Sequence, residues 1–193
     1  MSSKWHYNNL TFSFIKEEEL EPIATILNDK EVEKYLWFAP ITLEGLSEFA
    51  LPVIKKQLQL QSENKYPSSV IFTVKKDTEI IGMCGLFEMQ DAHNAVLIGY
   101  QLKPSAWGRG YGTNCLRFLI HYSKKYLKLR KLFGDCYSEN TASIKIMEKC
   151  GFEYEGTLKE KYESNGKLYD NSWFGLKMKK AQQIPDEDIR EST

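Results

Sequence analysis

The chain is poor in the residues that several kinds of function require. It has three histidines and four cysteines (Cys84, Cys115, Cys136, Cys150), none of them in a Cys-x-x-Cys pair. No zinc-site spacing can be drawn from that set, so no metal is expected, and the cysteines read as reduced, buried, small apolar residues. A surplus of charge is also missing: 26 Lys and Arg stand against 26 Asp and Glu. General polyanion binding needs a basic excess, so nucleic acid is not an expected partner. No run of apolar residues is long enough to span a bilayer, and no membrane partner is expected. The opening MSSKWHYNNL carries no apolar run of the kind a secretory leader has, which gives the expectation of a cytoplasmic protein. What is present is a globular composition, 42% hydrophobic and 13% aromatic over 193 residues. That suits one domain with a sizeable core.

Periodicity supplies the elements. Leu10, Phe12 and Phe14 alternate with polar residues and read as a strand. Leu20, Ile23, Ala24 and Leu27 recur at helical spacing, with Pro22 tolerable in the first turn. A second helical stripe, Leu46, Phe49, Ala50, Val53 and Ile54, follows Thr42, and Pro52 is expected to kink or split that helix. Three strands come next, at 69–76, 79–90 and 95–102, with turns at Asp77-Thr78 and 91–94. The helix after residue 110 carries two apolar stripes, one of Leu116, Leu119, Ile120 and Leu127, the other of Cys115, Phe118, Tyr122 and Tyr126. A strand at 131–138 leads to a short helix over 139–152, with Asn140 as N-cap and Gly151 past its end. Strands 153–163 and 167–178 flank Asn165-Gly166, a strong hairpin signal. The reading is α/β of the mixed α+β kind: one domain over 1–180, a mostly antiparallel sheet of about seven strands with helices packed on it. Residues 181–193 read as a polar, flexible tail. Trp37 and Phe38 read as core rather than as the wall of a cleft.

The segment KPSAWGRGYG, residues 103–112, lies between the 95–102 strand and a helix. Helix-start amides have no internal partner and the helix dipole favours negative charge there, so such a turn is suited to an anion. Glycines let backbone approach a phosphate, and Arg109 can add a charge-assisted contact. The spacing is neither that of a P-loop, which needs a lysine after the glycines, nor G-x-G-x-x-G, because Thr113 stands at the third glycine. A turn that binds nothing, or a different nucleotide enzyme, stays open on these residues alone.

Trp107-Gly108-Arg109-Gly110-Tyr111-Gly112 resembles the [Q/R]-x-x-G-x-[G/A] motif of the GNAT-type N-acetyltransferases. Trp at the first position departs from the pattern and is similar to the ribosomal-protein alanine N-acetyltransferase branch. Asn140-Thr141-Ala142-Ser143 with Glu148-Lys149-Cys150-Gly151-Phe152 resembles the N-x-x-S and K-x-G-F segment of the same family. The resemblance covers roughly residues 8–178.

It implies acetyl-CoA as cosubstrate and direct attack by an amine in a ternary complex. The acceptor would be a small-molecule amine or a protein N-terminus, and a homodimer is compatible. The 95–102 strand would splay from its neighbour and offer Tyr100, Gln101 and Leu102 to the pantetheine arm. Trp107, Gly108, Arg109, Gly110, Tyr111, Gly112 and Thr113 would hold the pyrophosphate, with Asn140 and Ser143 beside the cofactor. Ser143 aligns with a proposed general acid of the ribosomal-protein branch. Tyr162 falls where that branch has a catalytic Glu, and Glu163 is its neighbour. Two departures count against easy catalysis: Met147 where many members have an acidic tyrosine, and Leu97 where a Glu often sits. Glu88, His93, Asp135 and Tyr137 are further candidates for the base. A non-catalytic acyl-CoA sensor on the same fold is the alternative.

Overall fold

In the computed structural model, described over residues 2–89, 93–164, 166–183 and 188–192, strands Val70–Lys76 (β3), Glu79–Glu88 (β4) and Ala95–Leu102 (β5) form an antiparallel meander. The first five residues of β3 are all buried. Val70, Phe72 and Val74 enter one core, while Ile71 enters a second on the opposite side. A strand reads as continuously apolar when both faces of its sheet are covered.

Helices provide the cover. Leu20–Leu27 (α1) and Leu43–Ser62 (α3) lie on one face, packed against β4 and β3 respectively. Tyr111–Tyr126 (α4) lies on the other, against β4, β5 and the short helix Thr141–Lys149 (α5). Cys115, Leu116, Phe118, Leu119, Ile120 and Tyr122 of α4 are all buried, as two apolar stripes require. The α4-side core centres on Trp5, fully buried among the rings of Phe14, Phe72, Phe118, Tyr122 and Tyr126.

Among the described residues the sheet has nine strands, in the order β7-β8-β6-β5-β4-β3-β2-β1-β9. Leu10–Phe14 is β2, Lys131–Tyr137 is β6, and the closing hairpin is Glu153–Ser164 (β7) and Lys167–Lys177 (β8). Asn165, the first residue of the expected hairpin turn, and residues 91 and 92 of the turn before β5 lie outside the described residues. The two strands beyond the expected count are Lys4–Tyr7 (β1) and Arg190–Ser192 (β9), paired with each other at the edge far from β5. Trp5 and Tyr7 are buried while Lys4 is exposed, so β1 has the alternation of a half-buried strand. The segment read as a free polar tail instead ends on the sheet, where Ser2 Oγ donates to Ser192 O at 3.0 Å and Lys125 pairs with Glu191.

Two local expectations are corrected. Pro52, expected to kink or split its helix, does not split α3, which runs unbroken from Leu43 to Ser62. Pro52 and Glu48, whose carbonyl loses its i+4 donor, are both exposed, so water can satisfy the freed oxygen. Trp37, between Lys30–Glu33 (α2) and α3, is 57% exposed rather than core.

Every neighbouring pair in the sheet is antiparallel except β5 and β6. These two run parallel, and their register covers only Ala95–Ile98 against Lys131–Gly134. Past that point β5 stays paired to β4 through Leu102 and β6 to β8 through Tyr137. The strands therefore part in the middle of the sheet, with an inner backbone edge on each side of the gap.

Candidate active site

The gap opens toward the start of α4. After β5, Pro104–Ala106 makes one 3₁₀ turn, and Trp107 Nε1 donates to Leu102 O at 2.8 Å, fastening the loop to the strand end. Gly108 and Gly110 have φ of +69° and +78°, the left-handed region that favours glycine. Gly110 is the N-cap of α4. A Cβ built on either would meet no atom within 4 Å, so both positions face open space. Gly112 is glycine for another reason: its Cβ would fall 2.9 Å from Ile146 Cδ1 and 3.2 Å from Tyr100 Cε2. It lets α4 press against β5 and α5. The amides of Tyr111, Gly112 and Thr113 occupy the first turn of α4, where no i−4 carbonyl exists to receive them. Arg109 is exposed beside them, with its Nε donating to Ser105 O at 3.1 Å. Open space, positive-φ glycines and unpaired helix-start amides form a cradle suited to a pyrophosphate.

β6 divides the chemistry of the gap between its two faces. Leu132, Gly134 and Cys136 point to the α4 and α5 side, and Phe133, Asp135 and Tyr137 to the side of α1 and α3. On the first face, Ser143 Oγ and Tyr100 Oη are 3.1 Å apart. Asn140 caps α5 by accepting from Ser143 N at 3.0 Å, which fixes Ser143 in the first turn. Burial pushes the Tyr100 phenol well above its usual range, so it keeps its proton at neutral pH. Burial likewise pushes the half-buried Cys136 thiol up to about 12, against a lowering from Ser143.

On the second face, Asn171 Nδ2 donates to Asp135 Oδ2 at 2.8 Å. Asp135 is raised above the usual carboxylate range, first by burial, with the Asn171 hydrogen bond and the field of Lys161 opposing. Tyr162 stacks under Trp37 with ring centroids 5.3 Å apart and planes 5° from parallel, and it also approaches Tyr137. Tyr169 stacks on Tyr137 at 4.6 Å.

The structure brings Tyr100, Asn140, Ser143 and the 107–113 turn to one side of the gap, and Tyr162 to the other. Gln101 and Leu102 continue the β5 edge. Glu163 is exposed and alternates away from Tyr162. Glu88 faces Val96, at the closed end of β5 and β6, and accepts from Ser68 Oγ at 2.6 Å. His93 lies beyond that end, and its carbonyl accepts from Arg130 Nε. Neither reaches the gap. Leu97 is opposite Phe133 in the closed part, and Met147 is buried against Gly134 as a core residue. Sequence reasoning missed the Tyr100 hydroxyl as Ser143's partner and the pairing of Asp135 with Asn171. Only the alternation within KLFGDCY, which puts Asp135 and Cys136 on opposite faces, hinted at the second.

A family model described as the acetyltransferase (GNAT) domain matches residues 9–153. The chain belongs to the GNAT acetyltransferase family. This N-acetyltransferase is 32% identical over 169 residues to an uncharacterised N-acetyltransferase, p20, of Bacillus licheniformis, covering 86% of this chain and 92% of that one. It is 30% identical over 90 residues to the ribosomal-protein-serine acetyltransferase of Escherichia coli, covering 47% of this chain and 50% of that one. Its fold is similar to that of a spermidine N-acetyltransferase from Vibrio cholerae solved with CoA and spermine. The TM-score is 0.77 at 22% identity, over 90% of this chain and 98% of that one. The acetyl donor of the family is acetyl-CoA, and the cradle before α4 fits its pyrophosphate.

Proposed function

We propose that this acetyltransferase moves the acetyl group of acetyl-CoA to a primary amine by direct attack in a ternary complex. The observation that carries the reading is the parting of β5 and β6 after Ile98 and Gly134, beside the glycine-lined start of α4. The first-turn amides of α4 would hold the pyrophosphate, with Arg109 free to swing onto it. The free inner edge of β5, from Gly99 to Leu102, would pair with the amide-bearing pantetheine arm as a further strand would.

When bound, acetyl-CoA supplies the acetyl group as a thioester whose sulfur departs as a thiolate. Ser143 Oγ would give that sulfur a proton and draw one from Tyr100 Oη, whose proton solvent would restore as the products leave, so the pair acts as the general acid and ends the cycle protonated. This supplies the hydroxyl that Met147 cannot. The acceptor would approach from the opposite face, past Trp37 and Tyr162, since α4 and α5 cover the first face. It must arrive at the carbonyl as a neutral amine, and the acidic group on that face is Asp135 rather than the exposed Glu163.

The test is isothermal calorimetry with acetyl-CoA. The reading expects saturable binding at one site per chain, lost on Gly110→Glu. No binding by the folded wild-type protein would remove it.

A further inference from the structure

We infer that the chain carries a second small-molecule site, at the pole opposite the cradle, which takes an apolar amino acid as its zwitterion. Glu88 would receive the ammonium group and Lys128 the carboxylate, with Tyr66 and Tyr126 as an aromatic wall.

The site is a cavity of about 450 Å³ at the closed end of β5 and β6. The end of β4, the start of β5, the segment before β3 and the residues that follow α4 enclose it. Its volume falls within the range of pockets that hold small molecules. The cradle lies at the first residue of α4, Tyr111, and the cavity at its last, Tyr126. A helix of 16 residues is about 24 Å long, so the two sites are well apart.

Two opposite charges line this one cavity without meeting. Among the described residues, the Glu88 side chain is engaged only by Ser68, whose Oγ donates to Oε1 at 2.6 Å, and its other oxygen is open. Lys128 has no ion pair among the described residues. Its neighbours differ: Lys125 pairs with Glu191 and Lys131 with Glu155. An unclosed carboxylate and an unclosed ammonium on the walls of one cavity are both completed by a molecule that carries both charges.

The walls are built in advance. Tyr66 stacks on Tyr126 with ring centroids 3.8 Å apart and planes 22° from parallel. Both rings are anchored: Tyr66 Oη accepts from Ser2 N at 3.2 Å, and Tyr126 Oη accepts from Trp5 Nε1 at 3.1 Å. Tyr122 Oη donates to Pro67 O at 3.1 Å, which ties the segment before β3 to α4. Arg130 N donates to Asn94 O at 2.7 Å and its Nε to His93 O at 2.8 Å, which ties the turn before β5 to the segment after α4. Met89, Val96 and Leu127 add apolar lining. A preformed, partly apolar cavity with a few placed polar groups is the usual form of a small-molecule site.

The charges also select against simpler ligands. A plain amine would meet Lys128 and a plain carboxylate would meet Glu88, each with a like-charge cost, whereas a zwitterion matches both. The tyrosine faces and the apolar lining favour an aliphatic or aromatic side chain on that zwitterion. Glu88, which does not reach the gap, thereby has a role that acetyl transfer does not give it.

The experiment titrates three probes into the full chain, followed by NMR line shifts and calorimetry: L-phenylalanine, 3-phenylpropionate, which lacks the ammonium, and phenethylamine, which lacks the carboxylate. L-Phenylalanine is expected to bind about tenfold or more tighter than either analogue, because each gives up one charge-assisted contact. Glu88→Gln should remove the advantage over 3-phenylpropionate, and Lys128→Met the advantage over phenethylamine. Both positions are exposed, so both variants should fold, and both should bind acetyl-CoA as the wild type does. No saturable binding of L-phenylalanine, no advantage over either analogue, an advantage that persists in the matching variant, or a fall in acetyl-CoA affinity in either variant overturns the proposal. A persisting advantage would place the amino acid elsewhere on the protein. The wild-type comparison needs neither variant and does not require acetyl transfer, so its failure is distinct from a failure of the acetyltransferase reading.

Discussion

The Tyr100 hydroxyl lies 3.1 Å from Ser143 Oγ, joining β5 to the first turn of α5 beside the parting of the sheet. If that pair protonates the leaving sulfur, the two residues act as a unit. Ser143→Ala and Tyr100→Phe should each lower kcat by about 10²-fold, the lower end for general acid catalysis, with little change in KM for acetyl-CoA. The double variant should fall well short of the product of the two losses, as coupled residues do. Steady-state kinetics on the three variants checks this.

Gly110 has a positive φ and its Cβ position faces open space. Gly110→Glu should cost about 1–2 kcal/mol of backbone strain, or roughly 2–8 °C in Tm for a chain of this size. It should also abolish acetyl-CoA binding, by setting a carboxylate where phosphate belongs. Gly110→Asn, which tolerates the left-handed region, should keep Tm closer to wild type. Thermal melts with and without acetyl-CoA separate strain from lost binding.

Asp135 illustrates what the sequence could and could not convey. The turn at 103–112 was legible because its glycines and the strand–turn–helix order are local. The Asn140 cap was legible for the same reason. The second face of the gap was not, because Asp135, Tyr162 and Asn171 are distant in sequence and meet only through the β6–β8–β7 register, while Trp37 joins them from the segment between α2 and α3. Trp37 misled because large aromatics are usually core, and here an exposed ring covers another aromatic. Strand β9 was hidden because a polar edge strand carries no hydrophobic alternation to betray it.

Burial raises Asp135, so the folded protein binds its proton more readily than the unfolded chain does. The ionised group therefore costs stability above the folded-state value, and the cost fades as pH falls through that value toward the unfolded one. Asp135→Asn should raise Tm at about pH 7, and the gain should shrink at about pH 3, where both states are protonated. Melts at the two values read this. A loss of stability at pH 7 would mean that the carboxylate supports the fold rather than the acceptor.

Trp5 is fully buried at the centre of the α4-side core, away from the gap. Trp5→Ala should cost about 3–5 kcal/mol in urea unfolding, the usual loss for a large core aromatic. The fraction that stays folded should still bind acetyl-CoA with wild-type affinity.

Acetyl transfer itself is the most direct test of the account. Wild-type protein mixed with acetyl-CoA and a panel of cationic primary amines should release free thiol in step with acetylated amine identified by mass, and Gly110→Glu should release none. Thiol release without acetylated amine, or no release from a folded protein that binds acetyl-CoA, would contradict it.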